Sequence, residues 1–139
     1  MQKERIILFV CVGNSGRSQM AEGLFNSKAP KGYHAISAGI EPAKEVNPLV
    51  IKVMKEKGID ISMNKTKAVE DWMYEDAERI ILMGCGVDSC PVPLWGKVEN
   101  WQIDDIRGKP IKEIRRTRNQ IVSKINVLIN QLQGKQTIN

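Results

Sequence analysis

The sequence predicts an α/β fold in three layers, in which helices flank a four-stranded parallel sheet. Short apolar segments of strand length alternate along the chain with amphipathic segments of helical spacing. The first strand segment, residues 5–10, is an almost continuous apolar run, as expected of a strand buried on both faces of a parallel sheet. The chain has 139 residues, 42% of them hydrophobic, and we expect residues 1–139 to form one domain.

The first half of the chain predicts a further strand and two helices. Residues 17–27 carry apolar side chains at the three- and four-residue spacing of a helix, namely Met20, Ala21, Leu24 and Phe25. Residues 33–38 favour a short second strand. A second helix is indicated by Asn47, a good N-cap, and by Pro48 at the first helical position, and we expect Gly58 to end it.

The second half predicts two more strands and a long final helix. Residues 77–83 form a third apolar strand segment. The segment 84–108 is rich in residues that favour loops, and a short fourth strand is expected near 97–99. From Pro110 onward isoleucine and leucine recur at helical spacing, so we expect a helix that begins there and ends at Gly134.

Composition and charge exclude several classes of protein. The net charge of +5 arises partly from basic residues that we interpret as the solvated face of the last helix: Lys109, Lys112, Arg115, Arg116, Arg118 and Lys124. No nucleic-acid recognition motif accompanies them, so we expect no nucleic-acid partner. No apolar run approaches the roughly 20 residues that cross a bilayer, and the polar N-terminus lacks the pattern of a signal peptide. Three cysteines are too few for a secreted disulfide scaffold, and we expect a cytoplasmic monomer without a membrane partner.

Three residues with reactive or polar side chains lie at the ends of predicted strands. Cys11 follows the first strand, Ser37 lies near the end of the second, and Cys85 lies just past the third. In parallel α/β sheets the ligand binds at the carboxyl ends of the strands. The sequence therefore predicts a functional site at this edge of the sheet.

Residues 11–17 have the composition of a loop that binds a tetrahedral oxyanion. They read Cys-Val-Gly-Asn-Ser-Gly-Arg, between a strand and a helix. Glycines, and an asparagine that tolerates the left-handed region, allow successive backbone N–H groups to turn inward as a nest for an anion. The helix that follows adds its positive end, and Arg17 adds a planar fork of donors. We expect the anion to be bound by Arg17 and by the loop residues Val12, Gly13, Asn14, Ser15 and Gly16.

Cys11 is the predicted nucleophile of this loop. A thiol at the N-terminus of a helix and beside a cation ionises more readily than a free thiol. The pattern therefore predicts a thiolate beneath the central atom of the bound anion, which is the arrangement for nucleophilic attack on a phosphate-like group. Ser18 is placed either to hydrogen-bond this sulfur or to cap the helix.

These residues resemble a known family. The segment Val10–Glu22 is similar to the signature of low-molecular-weight protein tyrosine phosphatases and of their relatives, the thioredoxin-coupled arsenate reductases. The resemblance continues through Ser37-Ala38-Gly39, through 58–62 and from Trp101 to Asp105, so that it covers nearly the whole chain. It implies a four-stranded parallel sheet flanked by helices, in agreement with the fold expected above.

The resemblance implies different roles for the other two cysteines in the phosphatases and in the arsenate reductases. Reductases of this kind carry a cysteine pair where this chain has Cys85 and Cys90. Their chemistry implies that Cys11 attacks arsenate, Cys85 attacks Cys11 and releases arsenite, and Cys90 takes over the disulfide for reduction by thioredoxin. We accordingly expect arsenate reductase activity with a thiol reductant and no tightly bound cofactor. The spacing of this pair is shorter than in many such reductases, which leaves a small thiol or glutaredoxin open as reductant.

The alternative activity is hydrolysis of phosphotyrosine or of a small phosphate ester. It would use Cys11, Arg17 and Asp105, with Asp105 as general acid and a phosphocysteine intermediate. The family usually has Asp-Pro here, whereas this chain has Asp105-Ile106, and Asp104 is a rival for the role. A third interpretation is a regulatory module that binds oxyanions without turnover.

Some reductases of this family use a potassium ion to order the oxyanion loop. Asn14, Glu22 and Ser37 match residues of that site, whereas the fourth position is Lys67 rather than an acid. We hypothesise that the Lys67 ammonium takes the place of the ion.

Overall fold

The computed structural model describes residues 4–84 and 97–137, and it confirms the predicted architecture. Four strands form one sheet in the order β2-β1-β3-β4, and every neighbouring pair is parallel. The strands are β1 (Arg5–Cys11), β2 (Tyr33–Gly39), β3 (Ala77–Leu82) and β4 (Val98–Asn100). Each lies within one or two residues of its predicted position, and the apolar runs that predicted β1 and β3 are largely buried in the sheet.

Four helices accompany the sheet in the described part of the chain. They are α1 (Arg17–Asn26), α2 (Pro48–Lys55), α3 (Asp71–Asp76) and α4 (Ile111–Thr137). Asn47 caps α2 as predicted, since its side chain accepts a hydrogen bond from the backbone N–H of Leu49 at 2.9 Å. The helix α3 was not predicted, because its six residues are too few to show a helical period. The predicted end of the last helix was also wrong, because α4 continues past Gly134 to Thr137.

The central strand β1 is buried on both faces and thereby sets the position of Cys11. Ile7 and Phe9 face the larger core cluster, which includes apolar residues of α1, α2 and α4. Leu8 and Val10 face a smaller cluster that includes Met73 of α3. All four β1 side chains are fully buried. The end of this strand is therefore packed on both faces.

One residue of the basic set in α4 is buried rather than solvated. Arg118 is 7% exposed and donates to the carbonyl of Val53 at 2.9 Å and to Glu56 at 2.7 Å. Hydrogen bonds from Arg115 and Arg118 lower the pKa of Glu56 to about 2. These contacts join α2 to α4. None of the helices within 4–84 and 97–137 has the length and apolar character needed to span a membrane.

Candidate active site

The sheet brings the predicted chemical groups to one edge. Cys11 is the last residue of β1 and pairs with Gly39, the last residue of β2, while Ser37 lies two residues earlier. Gly84 lies two residues past the end of β3. Cys85 and Cys90 lie outside the described residues, so their predicted place at this edge stays a prediction.

The loop 11–17 is held from outside through its carbonyl groups. The carbonyls of Val12, Gly13 and Ser15 accept hydrogen bonds of 2.8 to 2.9 Å from backbone N–H groups in the segment 41–47. In a trans peptide the C=O and the following N–H point in opposite directions. The next N–H groups along the loop therefore point away from that segment and toward the interior of the loop, as an anion nest requires.

Two backbone features allow this close packing. Asn14 has a φ of 51°, which lies in the left-handed region that asparagine tolerates. Gly39 passes so near the loop that a Cβ at this position would lie 2.7 Å from the carbonyl oxygen of Val12 and 2.9 Å from the nitrogen of Asn14. A larger residue at 39 would force the loop away from β2.

The Cys11 sulfur lies at the base of the loop with hydrogen-bond donors around it. Cys11 is 2% exposed. The backbone N–H of Asn14 donates to Sγ at 3.2 Å, and the hydroxyl oxygen of Ser18 lies 2.9 Å from Sγ. Helix α1 has Gly16 as its N-cap without a side-chain cap, so Ser18 contacts the sulfur instead of capping the helix.

A buried network directs the Ser18 hydroxyl toward the sulfur. The Asn14 side-chain amide donates both to Ser18 Oγ at 2.8 Å and to Ser37 Oγ at 3.0 Å. Ser37 in turn donates to Glu22 Oε1 at 2.7 Å. Because Ser18 Oγ already accepts from Asn14, its own hydrogen is available for the Cys11 sulfur. The backbone N–H of Asn14 and the Ser18 hydroxyl therefore both lie at this sulfur.

Gln19 belongs to this network and was not predicted. Its side-chain amide donates to the carbonyl oxygen and to Oδ1 of Asn14, both at 3.1 Å. The backbone N–H of Lys67 also donates to Asn14 Oδ1, at 2.9 Å. Gln19 lies two residues after the loop motif, but its role depends on the backbone conformation of residue 14, which the sequence pattern does not specify.

Arg17 is anchored by two distant segments of the chain. It is 7% exposed, and its Nη1 donates to the carbonyl of Met83 at 2.7 Å and to that of Ile103 at 2.9 Å. Its Nη2 lies 3.9 Å from Asp105 Oδ1. Gly84 is required here, because it has a φ of 102° and a Cβ would lie 2.0 Å from the Ile103 oxygen.

Asp105, rather than Asp104, lines the recess above Cys11. Asp104 lies instead in a neighbouring depression with Lys109 and Arg116. Burial raises the pKa of Asp105, but hydrogen bonds from Arg107 and the charge of Arg17 outweigh it, so that its pKa is below its ordinary value. A general acid needs the opposite shift, because it must hold a proton near neutral pH.

The recess itself is small. It has a volume of about 10 Å³, which is room for about one water molecule. Its walls include Cys11, Gly13, Ser15, Arg17, Asp105 and Arg107. A larger cavity of about 530 Å³ lies between β4 and α4; among the described residues, it shares no lining residue with this recess and is lined by no cysteine.

Lys67 lies beside the residues that were expected to bind a potassium ion. The ammonium Nζ lies 4.0 Å from Glu22 Oε1, the carboxylate that also accepts from Ser37. A second cation beside Glu22 would be repelled by this ammonium. The Lys67 ammonium therefore supplies a positive charge next to the set Asn14, Glu22 and Ser37.

Comparison with known proteins identifies the family. Residues 6–92 match the family described as low molecular weight phosphotyrosine protein phosphatase. The chain belongs to this family. An arsenate reductase of Staphylococcus aureus is 38% identical over 120 residues, which are 85% of this chain and 91% of the relative. Arsenate reductase 2 of Staphylococcus epidermidis is 38% identical over 124 residues, which are 88% of this chain and 94% of the relative.

Solved structures of the family show the same fold. An arginine phosphatase from Geobacillus stearothermophilus has a TM-score of 0.85 and 28% identity, with 95% of each chain covered. A thioredoxin-dependent arsenate reductase from Corynebacterium glutamicum has a TM-score of 0.80 and 32% identity over 96% of this chain and 64% of its own. An arsenate reductase in an oxidised state has a TM-score of 0.81 and 32% identity over 91% of this chain and 98% of its own.

Proposed function

We propose that this chain is an arsenate reductase that uses Cys11 as nucleophile and thioredoxin as reductant. The observation that carries the proposal is the 38% identity to Staphylococcus arsenate reductases over most of both chains. The arginine phosphatase from Geobacillus stearothermophilus is 28% identical. The donors around the Cys11 sulfur and the low pKa of Asp105 agree with attack on an oxyanion that needs no external acid.

The first step is attack of the Cys11 thiolate on arsenate. The inward N–H groups of the loop and Arg17 bind the oxygens and stabilise the charge that develops on them. Dihydrogen arsenate carries two protons, and both leave with one oxygen as water. The product is a cysteine–arsenate adduct in which arsenic is still in the +5 state.

The second step is reduction. The Cys85 thiolate attacks Cys11 Sγ, the sulfur–arsenic bond breaks, and its electron pair stays with arsenic, which leaves as arsenite. The two sulfurs are oxidised to a Cys11–Cys85 disulfide. Cys90 then attacks Cys85, frees Cys11 and moves the disulfide to the pair that thioredoxin reduces. This relay suits the reducing cytoplasm, where we place the enzyme.

Phosphate ester hydrolysis is the second candidate activity, and Asp105 favours it by position. Its carboxylate lines the recess and lies 3.9 Å from Arg17, where it faces the leaving group of an ester bound to the loop. Since phosphate and arsenate have the same shape and charge, weak phosphatase activity is expected of either enzyme.

Arsenite release in the presence of thioredoxin tests the proposal. We expect arsenate to be reduced over many turnovers with thioredoxin, its reductase and NADPH. If arsenite is released with glutaredoxin but not with thioredoxin, the arsenate reductase activity is supported and glutaredoxin is the reductant. No arsenite with any thiol, together with phosphate ester hydrolysis, would establish the phosphatase.

We infer that Lys67 makes potassium unnecessary. The kcat/KM for arsenate is expected to be the same in sodium and in potassium buffers of equal ionic strength, because the Lys67 ammonium already lies beside Glu22. A clear rise in kcat/KM with potassium would contradict this role. The matched variant is Lys67→Asp, for which we expect potassium to raise kcat/KM, since the ammonium is replaced by an acid.

A further inference from the structure

Arg107 holds the carboxylate of Asp105 at the mouth of the recess. Its Nε donates to Asp105 Oδ2 at 2.8 Å, and its backbone N–H donates to Oδ1 at 3.0 Å. Its Nη2 forms an ion pair with the same Oδ2. Both oxygens of Asp105 therefore accept hydrogen bonds from residue 107, which favours the ionised carboxylate.

The same guanidinium is close to the reaction centre. Arg107 lines the recess together with Cys11 and Arg17. The hydrogen bond to Asp105 is the largest cause that raises the pKa of Arg107, and negative charge at Cys11 contributes as well. The recess is thus bordered by two guanidinium groups and one carboxylate.

The position of the pair determines which part of a substrate it meets. The Arg107 and Asp105 side chains are 60% and 41% exposed, whereas Cys11 is 2% exposed, so the pair lies on the outer side of the recess and the sulfur at its base. In an in-line displacement the leaving group lies opposite the attacking atom. The leaving oxygen of a bound anion therefore faces Asp105 and Arg107.

Arsenate and a phosphate ester make different demands on this pair. The leaving oxygen of dihydrogen arsenate departs as water with protons that the anion brings. The leaving oxygen of an ester departs as an alcohol and needs a proton from a general acid. An ionised Asp105 carboxylate therefore leaves the attack on arsenate unaffected and slows the hydrolysis of a phosphate ester.

We propose that Arg107 is a specificity-determining residue that favours free oxyanions over phosphate esters. It keeps Asp105 ionised, and its guanidinium binds the outward oxygen of arsenate, where an ester would carry its organic group. This inference rests on the proposed arsenate reductase activity for its biological meaning. The ionisation of Asp105 and the binding of the anion by Arg107 can, however, be measured without any reduction of arsenate.

The test uses Arg107→Ala in the full chain. We expect its kcat/KM for phenyl phosphate to rise about tenfold, since the hydrogen bonds from Arg107 that favour the ionised Asp105 are lost. Arg107 lowers the pKa of Asp105, and the acid works only when protonated, so the rate falls as pH rises through that pKa. Without Arg107 the falling limb of the pH–rate profile should move to higher pH.

The same variant should bind arsenate more weakly. Its KM for arsenate should rise about tenfold with the loss of one charged contact.

Two variants serve as controls. Arg116→Ala removes an exposed arginine that also pairs with a carboxylate, Glu113, at 3.7 Å, and it should change none of these quantities. The double variant Asp105→Asn/Arg107→Ala should lose the gain in phenyl phosphate hydrolysis. Unchanged hydrolysis with an unchanged pH limb in Arg107→Ala would overturn the proposal, as would a gain that persists in the double variant.

The role of Arg107 can be tested independently of the proposed reductase activity. Protection of Cys11 from iodoacetamide by arsenate reports binding without any reduction, and Arg107→Ala should weaken that protection about tenfold. If the wild type releases no arsenite, the reductase proposal fails, while protection and phenyl phosphate hydrolysis still decide the role of Arg107. Equal protection in Arg107→Ala and the wild type would contradict the contact with the anion.

Discussion

Cys11→Ser is expected to abolish arsenate reduction, with a loss on the order of 10⁴-fold or more, as is usual when a covalent nucleophile is removed. A serine hydroxyl is not ionised at neutral pH, and oxygen cannot form the disulfide on which reduction depends. The measurement is arsenite release by the purified variant, with phenyl phosphate hydrolysis as a second readout. Both should disappear, because both reactions begin at this sulfur.

The control must show that the anion site itself survives. Cys11→Ser changes one buried atom and leaves the inward N–H groups and Arg17 in place, so phosphate should still bind and raise the melting temperature. Ser18→Ala is the matched variant, since it removes one hydrogen bond at 2.9 Å from the sulfur but keeps the nucleophile. We expect it to lower kcat/KM about tenfold. Turnover by Cys11→Ser at a rate near that of the wild type would rule out the nucleophile assignment, and with it the thiolate mechanism.

The second large effect is expected from the cysteine pair. Cys90→Ser should release one equivalent of arsenite per enzyme and then stop, because the Cys11–Cys85 disulfide forms but cannot move to a partner for thioredoxin. Cys85→Ser should release none, because nothing attacks the Cys11 adduct. In both variants multiple turnover with thioredoxin is lost completely. The measurements are arsenite per enzyme in a single-turnover assay and mass mapping of the trapped disulfide.

Phosphate ester hydrolysis serves as the internal control for these variants. That reaction needs Cys11 and Arg17 but no second thiol, so Cys85→Ser and Cys90→Ser should hydrolyse phenyl phosphate at the wild-type rate. Arsenite release over many turnovers in either variant would exclude the relay. A parallel loss of both activities would point to damage of the fold instead, and the melting temperature would show it.

Much of the fold was predictable because its signals are local. The apolar run of β1 and the recurring isoleucines of α4 each lie within one element, so periodicity alone identifies them. The short helix α3 has no such period, and its existence depends on burial of Met73 and Tyr74 beneath the sheet. The end of α4 was missed for a similar reason, since one glycine costs only about 1 kcal/mol in a helix and does not end it.

The candidate site likewise combines features that a local motif predicts with features that depend on distant contacts. The motif 11–17 by itself predicted the nucleophile and the anion loop, and the wider segment Val10–Glu22 predicted the family, because consecutive residues carry that information. Which aspartate lines the recess and what anchors Arg17 were decided only by the tertiary structure. Arg17 reaches carbonyls 66 and 86 residues away in the chain, and Asp105 meets the loop only after α1, β3 and the segment after β4 have packed together. Contacts of that kind depend on the whole fold, because no local pattern specifies which distant backbone will face a given side chain.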